Sequence, residues 1–207
     1  MPDVDVHRLF DRVAHLYDTG WLQRALYTAL QDQALVELRS VQPRSILDVG
    51  CGTGIFTARL ERELAPGGVV GCDLSSGMLA EAAVRSRQVH WTRGDSARLP
   101  FRNGAFDAVV CTQAFHFFDQ PAAWREFRRI LAPGGHALVG MLNPRTQIGS
   151  RRFARLTSMA SKTPVTWPTR PEMKRLATDA GLDVVAQHEV AYRFRHVVPL
   201  VLTVTRR

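Results

Sequence analysis

The sequence predicts an α/β fold, a doubly wound sheet whose strands alternate with helices. Two observations carry the prediction. Short apolar runs of strand length, such as Ile46-Leu47-Asp48-Val49 and Val69-Val70-Gly71-Cys72, alternate with stretches whose apolar residues recur at helical spacing. One stretch, Arg44 to Thr57, joins a strand, a glycine hinge and a helix, the first half of a nucleotide-type binding unit.

Composition bounds the rest. The 207 residues suit one domain with a full core. The late apolar run Val197 to Val204 is too short to span a bilayer and contains Pro199. The acidic start Met1-Pro-Asp-Val-Asp lacks a signal-peptide pattern, so a cytoplasmic location is expected. Cys51, Cys72 and Cys111 are odd in number, and no pair has metal-ligand or redox spacing. They read as small buried hydrophobes, and no metal is expected. The net charge of +8 permits an acidic partner, such as a carrier protein. Arginine is spread along the chain with no dense basic run, which argues against nucleic acid.

In chain order, residues 6–38 read as helices ahead of the sheet. Leu9, Phe10, Val13, Leu16 and Tyr17 fall at helical spacing, Gly20 breaks the run, and Leu22, Leu26, Leu30, Leu35 and Leu38 follow. The first strand, Ile46 to Val49, holds a carboxylate, Asp48. Gly50, Gly52 and Gly54 follow at every second position, allowing a sharp bend against which a ligand can lie. The dinucleotide fingerprint requires glycine where this chain has Ile55, and Asp48 would repel a pyrophosphate. The loop therefore suits a ligand without phosphates, cationic or hydroxyl-bearing.

A helix over about Thr53 to Leu64 stops at Ala65-Pro66-Gly67-Gly68. The second strand, Val69 to Asp73, ends in a carboxylate roughly 20 residues past the loop, where an acidic residue takes two ribose hydroxyls; the plain alternative is a helix N-cap. Val89 to Arg93 is the third strand, followed by the turn Gly94-Asp95-Ser96. Phe106 to Thr112 is the fourth, and Gln113 to Pro121 is the loop at its carboxyl end, where ligand crevices of open α/β sheets lie. His116 is that loop's only side chain titrating near neutrality. It could take a proton from an acceptor or anchor the loop. A helix over Pro121 to Leu131 ends at Ala132-Pro133-Gly134-Gly135 before the fifth strand, His136 to Met141. Gly149 to Ala160 reads as a helix, Pro171 to Ala180 as the last one, and Leu182 to Val190 and Val197 to Thr205 as a closing hairpin.

Asp48-Val-Gly50-Cys51-Gly52-Thr53-Gly54 resembles the first motif of the class I S-adenosylmethionine-dependent methyltransferases, small-molecule type, of the ubiquinone/menaquinone- and biotin-synthesis-like subgroup. Phe10-Asp-Arg-Val-Ala-His-Leu-Tyr17-Asp18 resembles the family's N-terminal segment, and Arg129, Leu131, Pro133, Gly134 and Gly135 match a further recurrent phrase. The resemblance covers about Phe10 to Thr205. It implies a Rossmann-like doubly wound seven-stranded sheet with an antiparallel last strand. It divides one domain, 1–207, into a helical lid (1–40), a cofactor-binding core (41–142), an acceptor cap inserted after strand five (143–170) and a closing helix and hairpin (171–207).

By the same resemblance S-adenosyl-L-methionine is the cofactor. Asp48, Gly50, Cys51, Gly52 and Gly54 form its loop, Asp73 takes the ribose, and Leu74 and Met78 flank the adenine. Asp95 and Ser96 read the adenine edge, Thr112 and Gln113 touch the methionine end, and Tyr17 faces the sulfonium. Tyr17 and His116 are the catalytic candidates. Family members that methylate amides or nucleobases carry a Pro-Pro-Tyr-type tetrapeptide where this chain has Thr112-Gln113-Ala114-Phe115, so that subclass is not indicated. The expected reaction is methyl transfer to a small apolar or aromatic molecule. The alternatives are methylation of a carboxyl group presented on an acidic acyl carrier protein, and a cofactor-binding regulator without turnover.

Overall fold

A computed structural model of the protein describes residues 21–64, 67–142, 165–191 and 199–207. Helix α1 (Trp21–Val41) leads into β1 (Ser45–Val49), α2 (Ile55–Leu64), β2 (Gly68–Asp73), α3 (Ser76–Arg85) and β3 (His90–Arg93). Then come β4 (Phe106–Thr112), a 3₁₀ turn at Phe115–Phe117, α4 (Gln120–Ile130), β5 (Leu131–Leu142), α5 (Arg170–Asp179), β6 (Asp183–Glu189) and β7 (Leu200–Arg206).

The seven strands form one sheet in the order β3-β2-β1-β4-β5-β7-β6. The first five pair in parallel, while β7 runs antiparallel to both β5 and β6. This is the expected doubly wound sheet with an antiparallel closing strand. Chain order reverses between β1 and β4, so both strand ends open on one crevice.

Central strands are apolar on both faces because helices cover both. Leu30, Leu35 and Leu38 of α1 and Phe56 and Leu60 of α2 pack with Ile46, Leu138 and Leu202 on one side. Trp124, Phe127 and Ile130 of α4 and Met173 and Ala177 of α5 pack with Leu47, Val109 and Val139 on the other. Gly140 of β5 makes room for α1, since a Cβ there would lie 2.7 Å from Leu30 Cδ1.

Three local expectations shift. The helix after the glycine loop starts at Ile55, because Gly50, Gly52 and Gly54 all have positive φ and keep the chain out of the helix. Strand β5 begins at Leu131 and takes in the Pro133-Gly134-Gly135 turn, with a register shift against β4 between Phe106 and Ala108. The N-cap of α3 is Ser75, whose hydroxyl accepts from Met78 N at 3.1 Å; Asp73 is not the cap. The lid segment through Gly20, including Tyr17, and nearly all of the cap, 143–164, lie outside the described residues.

Candidate active site

The glycine loop is tied to the strand beside it. Gly50 N and Cys51 N both donate to Cys72 O, at 2.8 and 3.2 Å, and Gly54 N donates to Cys51 O at 3.0 Å. Two of the glycines are sterically forced. A Cβ on Gly50 would stand 2.4 Å from Ala114 Cβ, and one on Gly54 would stand 2.5 Å from Trp91 Cη2. Gly52 differs: a Cβ there would meet no atom within 4 Å.

Three carboxylates surround this loop. Asp73 accepts from Gly52 N (2.8 Å) on one oxygen and from Ser75 N (2.9 Å) on the other, so backbone amides fix its plane. Asp48 is almost wholly buried and accepts from Thr57 Oγ1 at 2.7 Å. Burial raises its carboxyl to about 7; the Thr57 hydrogen bond opposes this and the charge of Asp73 adds to it. Asp95 is exposed and accepts from Ala97 N at 2.9 Å, closing the turn after β3.

Between these groups lies a cavity of about 360 Å³. It brings together Asp48, Gly50, Cys51, Gly52, Asp73, Leu74, Met78, Asp95, Ser96, Thr112 and Gln113. Gly54 stands behind the wall, packed under Trp91. Gln113 holds φ at +57°, a left-handed conformation unusual for a residue with a side chain, and its N–H donates to Gly140 O at 2.8 Å.

His116 stands apart from the other candidates. It is not among the lining residues, although Phe117, Phe118 and Asp119 are. Its ring is 8 % exposed and stacks on Trp167 at 3.9 Å, and its Nδ1 has no hydrogen-bond partner. Burial pushes its pKa down to about 3, so the imidazole is neutral near pH 7. In this placement it packs the loop. Its carbonyl accepts from Thr166 N at 3.0 Å, and Gln120 Nε2 donates to Thr166 O at 2.9 Å, pinning the chain ahead of α5.

The sequence reading missed Tyr27 and Gln31, which line the cavity from α1. Its helix face, read as leucines alone, also carries Gln31 in register with Leu35 and Leu38; a glutamine on a buried stripe was the available signal. The three thiols are buried and their pKa values are raised, Cys72 to about 12, chiefly by burial. No group of three or more metal-ligating side chains occurs among the described residues, nor does any helix there long and apolar enough to cross a membrane.

Residues 47–139 match a family model described as a methyltransferase domain. The chain is 34% identical over 142 residues to the 2-phytyl-1,4-naphtoquinone methyltransferase of Thermosynechococcus vestitus, covering 65% of this chain and 63% of that protein. It is 33% identical over 149 residues to the malonyl-[acyl-carrier protein] O-methyltransferase of Herminiimonas arsenicoxydans, covering 69% and 54%. The chain thus spans less than two thirds of the length of these relatives. Among solved structures, the complex between the Haloferax volcanii Trm112 methyltransferase activator and a methyltransferase contains a chain of the same fold. The TM-score is 0.81 at 22% identity, over 95% of this chain and 96% of that one.

Proposed function

As the chain belongs to the class I S-adenosylmethionine-dependent methyltransferases, we propose that it binds S-adenosyl-L-methionine in this cavity and methylates a small apolar or aromatic acceptor. The observation that carries the reading is Asp73: a carboxylate at the end of β2, fixed by two backbone amides and bordering the cavity beside the glycine loop. Two vicinal hydroxyls match the two oxygens of such a group, whereas a phosphate would be repelled. The donor set fits the cofactor. Gly52 offers bare backbone to the cavity, Leu74 and Met78 supply apolar surface for a purine, and Asp48 supplies negative charge near a cation.

The cofactor, when bound, supplies a methyl group already activated on a positive sulfur. The chain's own work is then alignment and exclusion of water, and positioning of this kind supplies ~7–11 kcal/mol. Asp73, Asp95 and Ser96 anchor the adenosine, and Thr112 and Gln113 hold the far end. Phe117 and Phe118 give the wall beyond them an aromatic face. Tyr17 at the sulfonium, a lid over 1–40 and a cap over 143–170 complete the proposal, with the cytoplasm as its location. A fused-ring acceptor, such as the 2-phytyl-1,4-naphtoquinone in the name of the T. vestitus relative, suits that wall. A second reading, carboxyl methylation on an acyl carrier protein, draws on the name of the H. arsenicoxydans relative and on the net charge of +8.

Calorimetry with S-adenosylmethionine and S-adenosylhomocysteine tests the proposal. Both should bind, and Asp73→Asn, which keeps the shape but not the charge, should weaken both by about 1.5–3 kcal/mol. Unchanged affinity removes Asp73 from the site. Binding without product across a panel of naphthols and carrier-bound acids would favour a regulator without turnover.

A further inference from the structure

Gln31 is an unusual residue for its place. It lies on the buried stripe of α1 and is 5 % exposed, yet it borders the cavity. Its Oε1 accepts from Arg59 Nη1 at 3.1 Å. Arg59 is itself clamped: Nη2 donates to Asp32 Oδ1 at 2.7 Å and Nε to Glu63 Oε1 at 2.9 Å. A guanidinium can only donate, so the amide must turn its oxygen toward Arg59 and its NH₂ the other way. Among the described residues, nothing accepts from Gln31 Nε2. His116 Nδ1 and Trp124 Nε1 are sealed in the interior without partners, whereas Gln31 borders the cavity.

The position of this amide identifies its ligand. Asp73, Leu74, Asp95 and Ser96 lie at the ends of β2 and β3, at one side of the cavity. Gln31 lies on the opposite side of β1: its neighbour Leu30 packs against Gly140, whose carbonyl accepts from Gln113 N. An adenosyl ligand seated on Asp73 and lying across the glycine loop would bring its tail to the side of the cavity that Gln31 borders. That tail, in the cofactor and in its demethylated product, ends in an ammonium and a carboxylate. An NH₂ group can serve only the carboxylate. The start of α2 is the adjoining wall, with Ile55 and Phe56 in the lining, and a helix N-terminus favours an anion there.

We infer that Gln31, held by Arg59, is the donor to the amino-acid carboxylate of the cofactor, and that Arg59 is its positioning residue. The inference rests on the adenosyl reading above.

The test compares two adenosyl probes by calorimetry: S-adenosylhomocysteine, which carries the tail, and 5′-methylthioadenosine, which lacks it. Gln31→Glu keeps an acceptor for Arg59 but replaces the donor with a negative charge; Gln31→Leu removes both and serves as the second variant. Each should lose about tenfold or more in affinity for S-adenosylhomocysteine and less than about twofold for 5′-methylthioadenosine. Arg59→Met should lower the same selectivity in part, and Arg59→Lys should restore some of it. If the wild-type chain binds both probes and the Gln31 variants weaken them equally, or not at all, the assignment is overturned while the adenosyl reading stands. If the wild-type chain binds neither probe, both fall together.

Discussion

A carboxyl group withdrawn from water prefers to hold its proton, and Asp48 is such a group: 1 % exposed, with Thr57 Oγ1 at 2.7 Å and Asp73 adding like charge. Its value of about 7 belongs to the protein alone. A cation in the cavity favours the ionised form and lowers it. Binding below pH 7 therefore releases a proton, and affinity rises with pH until Asp48 is already ionised. S-adenosylmethionine should bind more tightly by up to about tenfold per unit as pH rises toward 7, and with little change above. Calorimetry in buffers of different ionisation heat measures the released proton, and Asp48→Asn should abolish both slope and release. A flat profile below pH 7 would show that Asp48 does not sense the ligand. For the fold the sign is opposite. A carboxyl raised by folding costs stability as pH climbs from the ordinary carboxylate range through 7. The strand-to-loop pattern could place Asp48 near a strand end, but only packing shows that it is sealed. The same limit explains His116. A lone histidine in a loop reads equally as a proton carrier or an anchor, and its burial against Trp167 becomes visible only once residues 51 positions apart meet.

At the scale of elements, the strand–loop–helix unit was legible because its periods change abruptly: apolar residues at β1, glycines at every second position, then the 3.6-residue spacing of α2. Legible also were the seven strands and the carboxylates at the ends of β1 and β2, since a strand covered on both faces leaves few polar positions. Less legible was whatever depends on a distant neighbour. The start of β5 is set by pairing with β4, and the reason for Gly54 is Trp91, on a strand more than thirty residues away. The loop glycines therefore divide by what they protect. Gly54 has φ of +78°, and a Cβ there would stand 2.5 Å from Trp91 Cη2 and 2.9 Å from Ala82 Cβ. Gly54→Ala should destabilise the fold by about 2–4 kcal/mol, from left-handed strain and overpacking together. Gly52→Ala carries the strain alone, about 1 kcal/mol, but its new methyl projects into the cavity. Thermal unfolding should rank Gly54→Ala well below Gly52→Ala, while adenosyl affinity per folded molecule should fall more for Gly52→Ala. Equal unfolding temperatures would show that Trp91 yields more readily than its packing implies.

For the whole molecule, the net charge of +8 sets how it meets its acceptor. Long-range attraction between a basic protein and an acidic one speeds their encounter and is screened by salt, with a Debye length of ≈ 8 Å at physiological ionic strength. A small uncharged acceptor entering a cavity bordered by Phe117 and Phe118 gains nothing from that field. The two readings thus differ in a quantity that does not require the acceptor's final identity. With a naphthol-type acceptor, kcat/KM should change by less than about twofold between about 0.05 and 0.5 M salt at saturating cofactor. With an acidic carrier protein as the true partner it should fall by about tenfold or more over the same range, as steered association does. A small-molecule acceptor turned over slowly and without salt dependence, beside a carrier-bound one turned over quickly and with it, would move the assignment to the carrier and give the arginines a docking role.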